Sequence, residues 1–395
     1  MSAVLTWFCT AGIMLSLLWG CVVSGPAIRA EEYPPAPEEL EYPLDAYVRE
    51  AYMKPLWGGG IVYQESVMPL EEPDGSMKDI QLLYEASEII SVRSSDLLTE
   101  YTQGVDYDLV NGKLRILDGA IPHVLWATLY PPQEIVPAPP YSLMLPGKTV
   151  PWLWIEGGSL FHTWQLAVTY RHEDAWPGQI PPRQGSRLPN TLAKLEAGEP
   201  LRMVVFGDSL NVGAQSSGWC DAEPYAPAFF DMFANTLEAR YGSEITVVNT
   251  AVGGTDSAWG VKNAKELAAG HAPDLMLISF GGNDAPARVR PAAYALNMLR
   301  LVARIKAQNP ECEFILLATA LPNPLSNFAT GYHERYRPWL LRLAQESVAM
   351  MDMTTIHQDL LARKRFEDFN ANNVNHPNDF FARVYAQALM ETVQL

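Results

Sequence analysis

Hydrophobic and polar positions follow two different rhythms along this chain, and the change falls near residue 198. Upstream, apolar residues alternate with polar ones. Val105, Tyr107 and Leu109 alternate up to Asn111-Gly112, and Leu114 and Ile116 alternate after it. An Asn-Gly pair between alternating runs predicts a β-hairpin, because both turn residues must take positive φ. The runs 80–84, 88–92 and 164–170 also suit strands. Residues 45–175 are therefore expected to form a small β-sandwich of jelly-roll type. No catalytic cluster and no internal repeat stand out there.

Downstream, short continuous apolar runs replace the alternation: 201–206, 245–249, 275–280, 314–318 and 348–351. Segments of helical period lie between them. Phe229, Phe233 and Leu237 share one helix face; so do Met298, Leu299, Val302 and Ile305, and Phe381, Val384, Tyr385 and Leu389. Five wholly apolar strands alternating with helices predict an α/β domain over residues 198–395, with a five-stranded parallel sheet covered on both faces. In such sheets ligands bind at the carboxyl ends of the strands.

Proline-rich stretches separate these parts. Residues 31–44 read as a tether and 176–197 as a linker, and a third such stretch spans 131–146. The first 30 residues read as an export signal, almost wholly apolar from Val4 to Val23 and without charge before Arg29. That places the mature chain outside the cell or in the periplasm. Anchoring as a lipoprotein through Cys21, or by the uncleaved apolar segment, are the competing readings. Only Cys220 and Cys312 lie beyond the signal, and no bridge between them is expected.

The chain has 395 residues, 48% apolar and 18% charged, enough for two domains with sizeable cores. Its net charge of −17 disfavours phosphate backbones, so nucleic acid is not an expected partner. Stable membrane insertion after processing is not expected either.

Four strand ends or late loops carry residues suited to acyl transfer. Gly207-Asp208-Ser209-Leu210 follows the first predicted strand. A serine at a tight strand-to-helix turn is exposed and ringed by backbone N–H groups. Taken alone, the tetrapeptide is as well explained by a helix cap. Asn249 to Ser257 follows the second strand and contains Gly253-Gly254, where backbone can approach a ligand closely. Phe280-Gly281-Gly282-Asn283-Asp284 follows the third, and a side-chain amide there can donate to an oxyanion. His376, in the run 373–378, is the candidate base, since near-neutral titration suits proton transfer. The other histidines, at 123, 162, 172, 271, 333 and 357, have no motif around them.

In this order and on these strand ends, the four segments resemble the SGNH/GDSL hydrolase family over roughly residues 200–395. The resemblance implies a flavodoxin-like fold and carboxylic-ester hydrolysis. It implies Ser209 as nucleophile, Gly254 and Asn283 as oxyanion donors and His376 as base, with no cofactor and no metal. The last block departs from the family. It usually reads Asp-x-x-His, and here Asn373 stands three residues before His376. Asparagine can hold the imidazole tautomer but supplies no charge. Three accounts follow: a Ser-His-Asn set, a Ser-His pair oriented by a backbone carbonyl, or a weakened enzyme. Asp352 and Asp368 are acidic alternatives upstream.

Two-domain esterases with a β-sandwich ahead of such a domain resemble carbohydrate deacetylases. The expected substrate is therefore an O-acetylated sugar or polysaccharide, which 11 Trp and 17 Tyr would suit by stacking, although aromatics also fill cores. The alternatives are a lipid ester or thioester, and a non-catalytic carbohydrate-binding protein.

Overall fold

The computed structural model describes residues 53–117, 119–132, 141–142, 152–155 and 157–395. The expected signal, the tether and most of the stretch 131–146 lie outside these residues.

The upstream region is β-rich. Strands β1 (Ile61–Val67), β2 (Glu88–Ser94) and β7 (Leu166–Arg171) form an antiparallel sheet in the order β1-β7-β2. The predicted hairpin is present as β3 (Tyr107–Val110) and β4 (Lys113–Ile116), with Asn111 at φ 52° and Gly112 at φ 74°. Strands β5 (Tyr141–Ser142) and β6 (Leu153–Trp154) make a short ribbon, and α1 (Trp126–Leu129) precedes it. Among the described residues this is one three-stranded sheet with two two-stranded ribbons.

Residues 80–84 do not form the expected strand. Only Ile80 bridges to a neighbour, Leu114. The Leu83 N–H instead donates to Glu65, and the Tyr84 N–H to the Tyr170 hydroxyl at 3.2 Å. Side chains satisfy this backbone, so no partner strand is required.

From residue 198 the fold is the predicted one. Strands β8 (Leu201–Gly207), β9 (Ile245–Asn249), β10 (Leu275–Ser279), β11 (Glu313–Ala318) and β12 (Val348–Asp352) form a parallel sheet in the order β12-β11-β10-β8-β9. This is the flavodoxin-like order. Both sheet faces are apolar, with successive residues pointing to opposite sides. Met203, Val205, Leu277, Ile315 and Met351 enter one core, whereas Val204, Phe206, Ile278, Leu316 and Met350 enter the other.

The segment expected as a linker is instead packed. It contains α2 (Pro189–Glu196), and Gln184 donates to the Met350 carbonyl at 2.7 Å while accepting from the Met350 N–H. Helix α3 (Ser209–Val212) follows β8. Helices α4 (Phe229–Tyr241) and α9 (Asp379–Thr392) cover one face of the sheet, together with α8 (Met353–Leu361). Helices α5 (Ser257–Leu267), α6 (Pro291–Lys306) and α7 (Tyr332–Leu343) cover the other.

The first core does not stop at the sheet. It runs on through Phe380 and Phe381 into Leu82, Tyr84, Val92, Val168 and Tyr170 of the upstream region. A buried ion pair crosses the same boundary: Lys364 Nζ donates to Glu65 (2.5 Å) and to the Ser66 carbonyl (2.7 Å).

Candidate active site

The chain leaves β8 for β9 on one side, then crosses to β10 on the other, so the sheet's topological switch point lies between β8 and β10. Ligand crevices form at such points. Gly207 pairs with Ser279 at the ends of these two strands. A methyl group at Gly207 would lie 2.2 Å from the Ser279 carbonyl oxygen, so the close approach of the strands requires glycine.

Ser209 is the first residue of α3. The Asp208 carboxylate caps this helix, accepting from the Leu210 N–H at 3.1 Å, and Gly213 ends it at φ 78°. As the first helical residue, Ser209 has an N–H without an intrahelical acceptor, and its side chain is only part-buried. The Asp208 carboxyl is pushed up to about 7, first by burial and then by neighbouring Asp284, against the Leu210 and Gly282 N–H groups.

His376 lies in the loop before α9. Its Nε2 is 2.8 Å from Ser209 Oγ. One side chain shapes this loop: Asn372 Oδ1 accepts from the N–H groups of Val374 (2.8 Å), Asn375 (2.9 Å) and His376 (3.1 Å). The His376 carbonyl closes the turn by accepting from Ala371 N–H at 2.9 Å. Burial pushes the imidazole down to about 4.

The residue behind His376 is not the expected one. Asn373 sits at φ 62° with its side chain turned away. Its Oδ1 accepts from Asn323 Nδ2 at 2.9 Å and lies 2.9 Å from the Tyr130 hydroxyl, while its Nδ2 finds no partner among the described residues. In the left-handed conformation the Asn373 side chain projects into a buried polar cluster with Tyr130, Asn323 and Glu367, so it does not reach the imidazole. Nor do the two upstream acids. Asp352 pairs with Arg337 and caps α8, and Asp368 accepts from the Met68 N–H at 2.7 Å beside Lys364.

His376 Nδ1 instead meets Gln215 Oε1 in a short hydrogen bond. Gln215 is buried, six residues after the candidate nucleophile, at φ 68°. Its backbone carbonyl accepts from His162 Nε2–H at 2.8 Å. Neither residue was a candidate in the sequence. Glutamine has no place in the motif, and His162 belongs to the other region of the chain.

The second and third loops close the site. Gly254 is at φ 77°, and a side chain there would meet nothing within 4 Å, so conformation and not crowding calls for glycine. At Gly253 an added Cβ would lie 3.8 Å from Ser209 Cβ, which places this loop against the serine. Asn283 Nδ2 donates to the Thr255 carbonyl at 2.9 Å, tying the two loops together. Cys312 is a free, buried thiol. No helix of the described residues is long and apolar enough to cross a membrane.

Residues 205–383 match the model of the GDSL-like lipase/acylhydrolase family. Among relatives, an arylesterase of Vibrio mimicus is 28% identical over 157 residues, 40% of this chain and 72% of that protein. Esterase TesA of Pseudomonas aeruginosa is 30% identical over 38% of this chain and 68% of its own length. Thioesterase 1/protease 1/lysophospholipase L1 of Escherichia coli K12 is 27% identical, and the match spans 36% of this chain and 62% of that protein. Among solved structures, a two-domain esterase active on acetylated mannans, co-crystallised with mannopentaose, is similar at 20% identity and a TM-score of 0.43, over 54% of each chain.

Proposed function

This chain belongs to the GDSL-like lipase/acylhydrolase family, whose members hydrolyse ester bonds, and from that premise we propose an exported serine esterase that removes small acyl groups, acetyl above all, from carbohydrate. The observation that carries the serine mechanism is the 2.8 Å approach of His376 Nε2 to Ser209 Oγ at the switch point of the sheet.

The reaction is a two-step acyl transfer. His376 Nε2 takes the hydroxyl proton as Ser209 Oγ attacks the ester carbonyl. The N–H groups of Ser209 and Gly254 and the second amide hydrogen of Asn283 receive the oxyanion. Collapse of the tetrahedral intermediate expels the alcohol, which leaves with the proton from His376. Water, deprotonated by the same imidazole, then attacks the acyl-enzyme and releases the acid. Removal of one oxyanion donor typically costs about 3 kcal/mol of transition-state stabilisation.

The carbohydrate reading is supported by the loop that carries Gln215. Trp219 and Tyr225 on this loop are 50% and 52% exposed, although large aromatics are normally buried, and flat rings of this kind stack on sugar faces. The loop is held at the site by the Ser217 N–H, which donates to Asp379 at 2.8 Å, three residues beyond His376. Export is supported by the apolar run from Val4 to Val23.

Acetate release from acetylated xylan tests the proposal. The wild type is expected to release acetate and Ser209→Ala to lose at least about 10³-fold in kcat, as expected for loss of a nucleophile. Equal turnover by the two proteins would end the serine assignment. A second reading, a thioesterase or lysophospholipase, is favoured by the name of the Escherichia coli relative. A series of p-nitrophenyl esters from acetate to palmitate separates them, since a deacetylase falls off steeply beyond the shortest chains. Sugar binding without turnover would favour the binding-protein reading instead.

A further inference from the structure

We propose that Gln215 is the positioning residue of this site, holding His376 through its side-chain carbonyl where related serine hydrolases use a carboxylate, with His162 of the upstream region bracing it from behind. The inference rests on the serine-esterase reading above.

The geometry leaves little alternative. An imidazole that accepts the Ser209 proton at Nε2 must carry its own hydrogen at Nδ1. That hydrogen points at Gln215 Oε1, an acceptor. A glutamine carbonyl therefore fixes the tautomer as an aspartate would. Gln215 Nε2 faces the Ala371 carbonyl at 3.4 Å, which sets which end of the amide meets the imidazole.

The glutamine is itself held. A non-glycine residue persists in the left-handed region only where its surroundings over-determine it. At Gln215 (φ 68°) the surroundings include the His162 Nε2–H on its carbonyl, at 2.8 Å, from a different part of the chain. The residue is 2% exposed.

What the glutamine does not supply is charge. The charged or titratable groups on the elements that carry Ser209, Gln215 and His376 include Asp379, on α9, whose carboxylate accepts from the Ser217 N–H; Asp208, which caps α3; and His162, which is bonded to the Gln215 backbone. None of the three bonds the imidazole. The imidazolium formed during acyl transfer is therefore stabilised by an amide dipole in place of a carboxylate, and the neutral base persists further into acid than in a Ser-His-Asp site.

Three variants of the full-length chain test this, read by pH profiles of kcat/KM on p-nitrophenyl acetate and by proton NMR of the imidazole. Gln215→Glu places a carboxylate against Nδ1. It is expected to move the acid limb to higher pH by roughly 1–3 units, the usual effect of an adjacent opposite charge. Gln215→Ala is expected to lower kcat about 10²-fold, the scale of a misplaced catalytic group, with KM changed little. His162→Phe is expected to lower kcat by less. In the wild type, the His376 Nδ1 proton should give a low-field resonance that disappears in Gln215→Ala and persists in Ser209→Ala. An unmoved acid limb in Gln215→Glu would overturn the proposal, as would a retained resonance and kcat in Gln215→Ala. If Gln215→Glu fails to fold, Gln215→Ala decides alone. If the wild type shows no Ser209-dependent turnover, the esterase reading fails, and the resonance still reports whether Gln215 holds the imidazole.

Discussion

Gly207→Ala should damage stability and catalysis together, because the two strands that carry the site touch at this residue. The Cβ added by alanine would sit 2.2 Å from the Ser279 oxygen and 2.9 Å from Asn211 Nδ2. An ordinary carbon–oxygen contact is about 3.3 Å, so β8 and β10 must part by roughly 1 Å at their carboxyl ends. Backbone does not yield cheaply there. The same Ser279 oxygen accepts from the Asp208 N–H at 3.2 Å, and Asn211 Nδ2 donates to the Phe206 carbonyl at 3.1 Å. Overpacking of this size costs about 1–3 kcal/mol, and a weakened buried hydrogen bond adds roughly 1 kcal/mol. At roughly 2 °C per kcal/mol for a chain of this size, Tm should fall by about 4–8 °C. The displacement also falls between Ser209, after β8, and Asn283, after β10. A 1 Å error in a catalytic constellation can lower the rate about 10²-fold. Calorimetry and kcat/KM on p-nitrophenyl acetate measure the two effects. An alanine variant with wild-type Tm and turnover would refute the argument that the approach of the strands requires glycine.

Two further expectations concern buried charge. Lys364→Met removes the ammonium from Glu65, and both side chains are fully buried; the loss should be about 3–5 kcal/mol, read as the urea midpoint, and adding Glu65→Gln should restore part of it. His357 is buried, its imidazole pushed down to about 3 by that burial, while its Nδ1 accepts from the Leu321 N–H at 3.0 Å. Its folded pKa lies below its unfolded value, so the unfolded chain takes up the proton first and stability falls as pH drops from about 6.5 towards 3, by at most about 1.4 kcal/mol per pH unit. His357→Asn should be less stable than wild type at pH 7, and the gap in Tm should narrow by pH 4; a gap that stays constant would count against it.

The α/β half was legible because its signal is local. Its strands are short apolar runs, largely buried on both faces except at the edge strand β9, and the helices between repeat at 3.6 residues. The hairpin was legible for a similar reason, since Asn111-Gly112 states its own turn. Strand β1 was not, because Gln64, Glu65 and Ser66 interrupt its apolar run. Two of those polar side chains are explained by distant partners: Lys364 for Glu65, and Asn378, whose Nδ2 donates to Ser66 Oγ at 2.8 Å. The site divides the same way. Ser209, Gly254 and Asn283 sit in recognisable segments after strands, and His376 in a recognisable segment before the last helix. Gln215 had no such signal, because its role depends on one positive φ and on a turn that brings it under an imidazole 161 positions later.

The upstream region is best understood from the loop that holds His376. Residues 366–378 are almost wholly buried yet largely irregular, so their backbone groups have few regular ladder partners. A buried unpaired carbonyl or N–H is costly, and such a loop is stable only where other parts of the chain satisfy it. The partners come from upstream. Gln165 Nε2 donates to the carbonyls of Glu367 and Asn370, each at 2.8 Å, while Gln165 Oε1 accepts from Asn378 at 3.1 Å. Met68 donates its N–H to Asp368, and Tyr130 bonds Glu367 and Asn373. These contacts lie on the histidine loop, and His162 bonds the glutamine that meets the same imidazole from the other side. A detachable substrate-binding module would meet the catalytic domain through a polar, exposed interface. Here the apolar core is continuous, and several buried hydrogen bonds from upstream meet on the loop that carries His376. The β-rich region therefore belongs to the scaffold of the site, and Asn373, which in the motif stands where an aspartate would face His376, is one of the points by which that scaffold grips it.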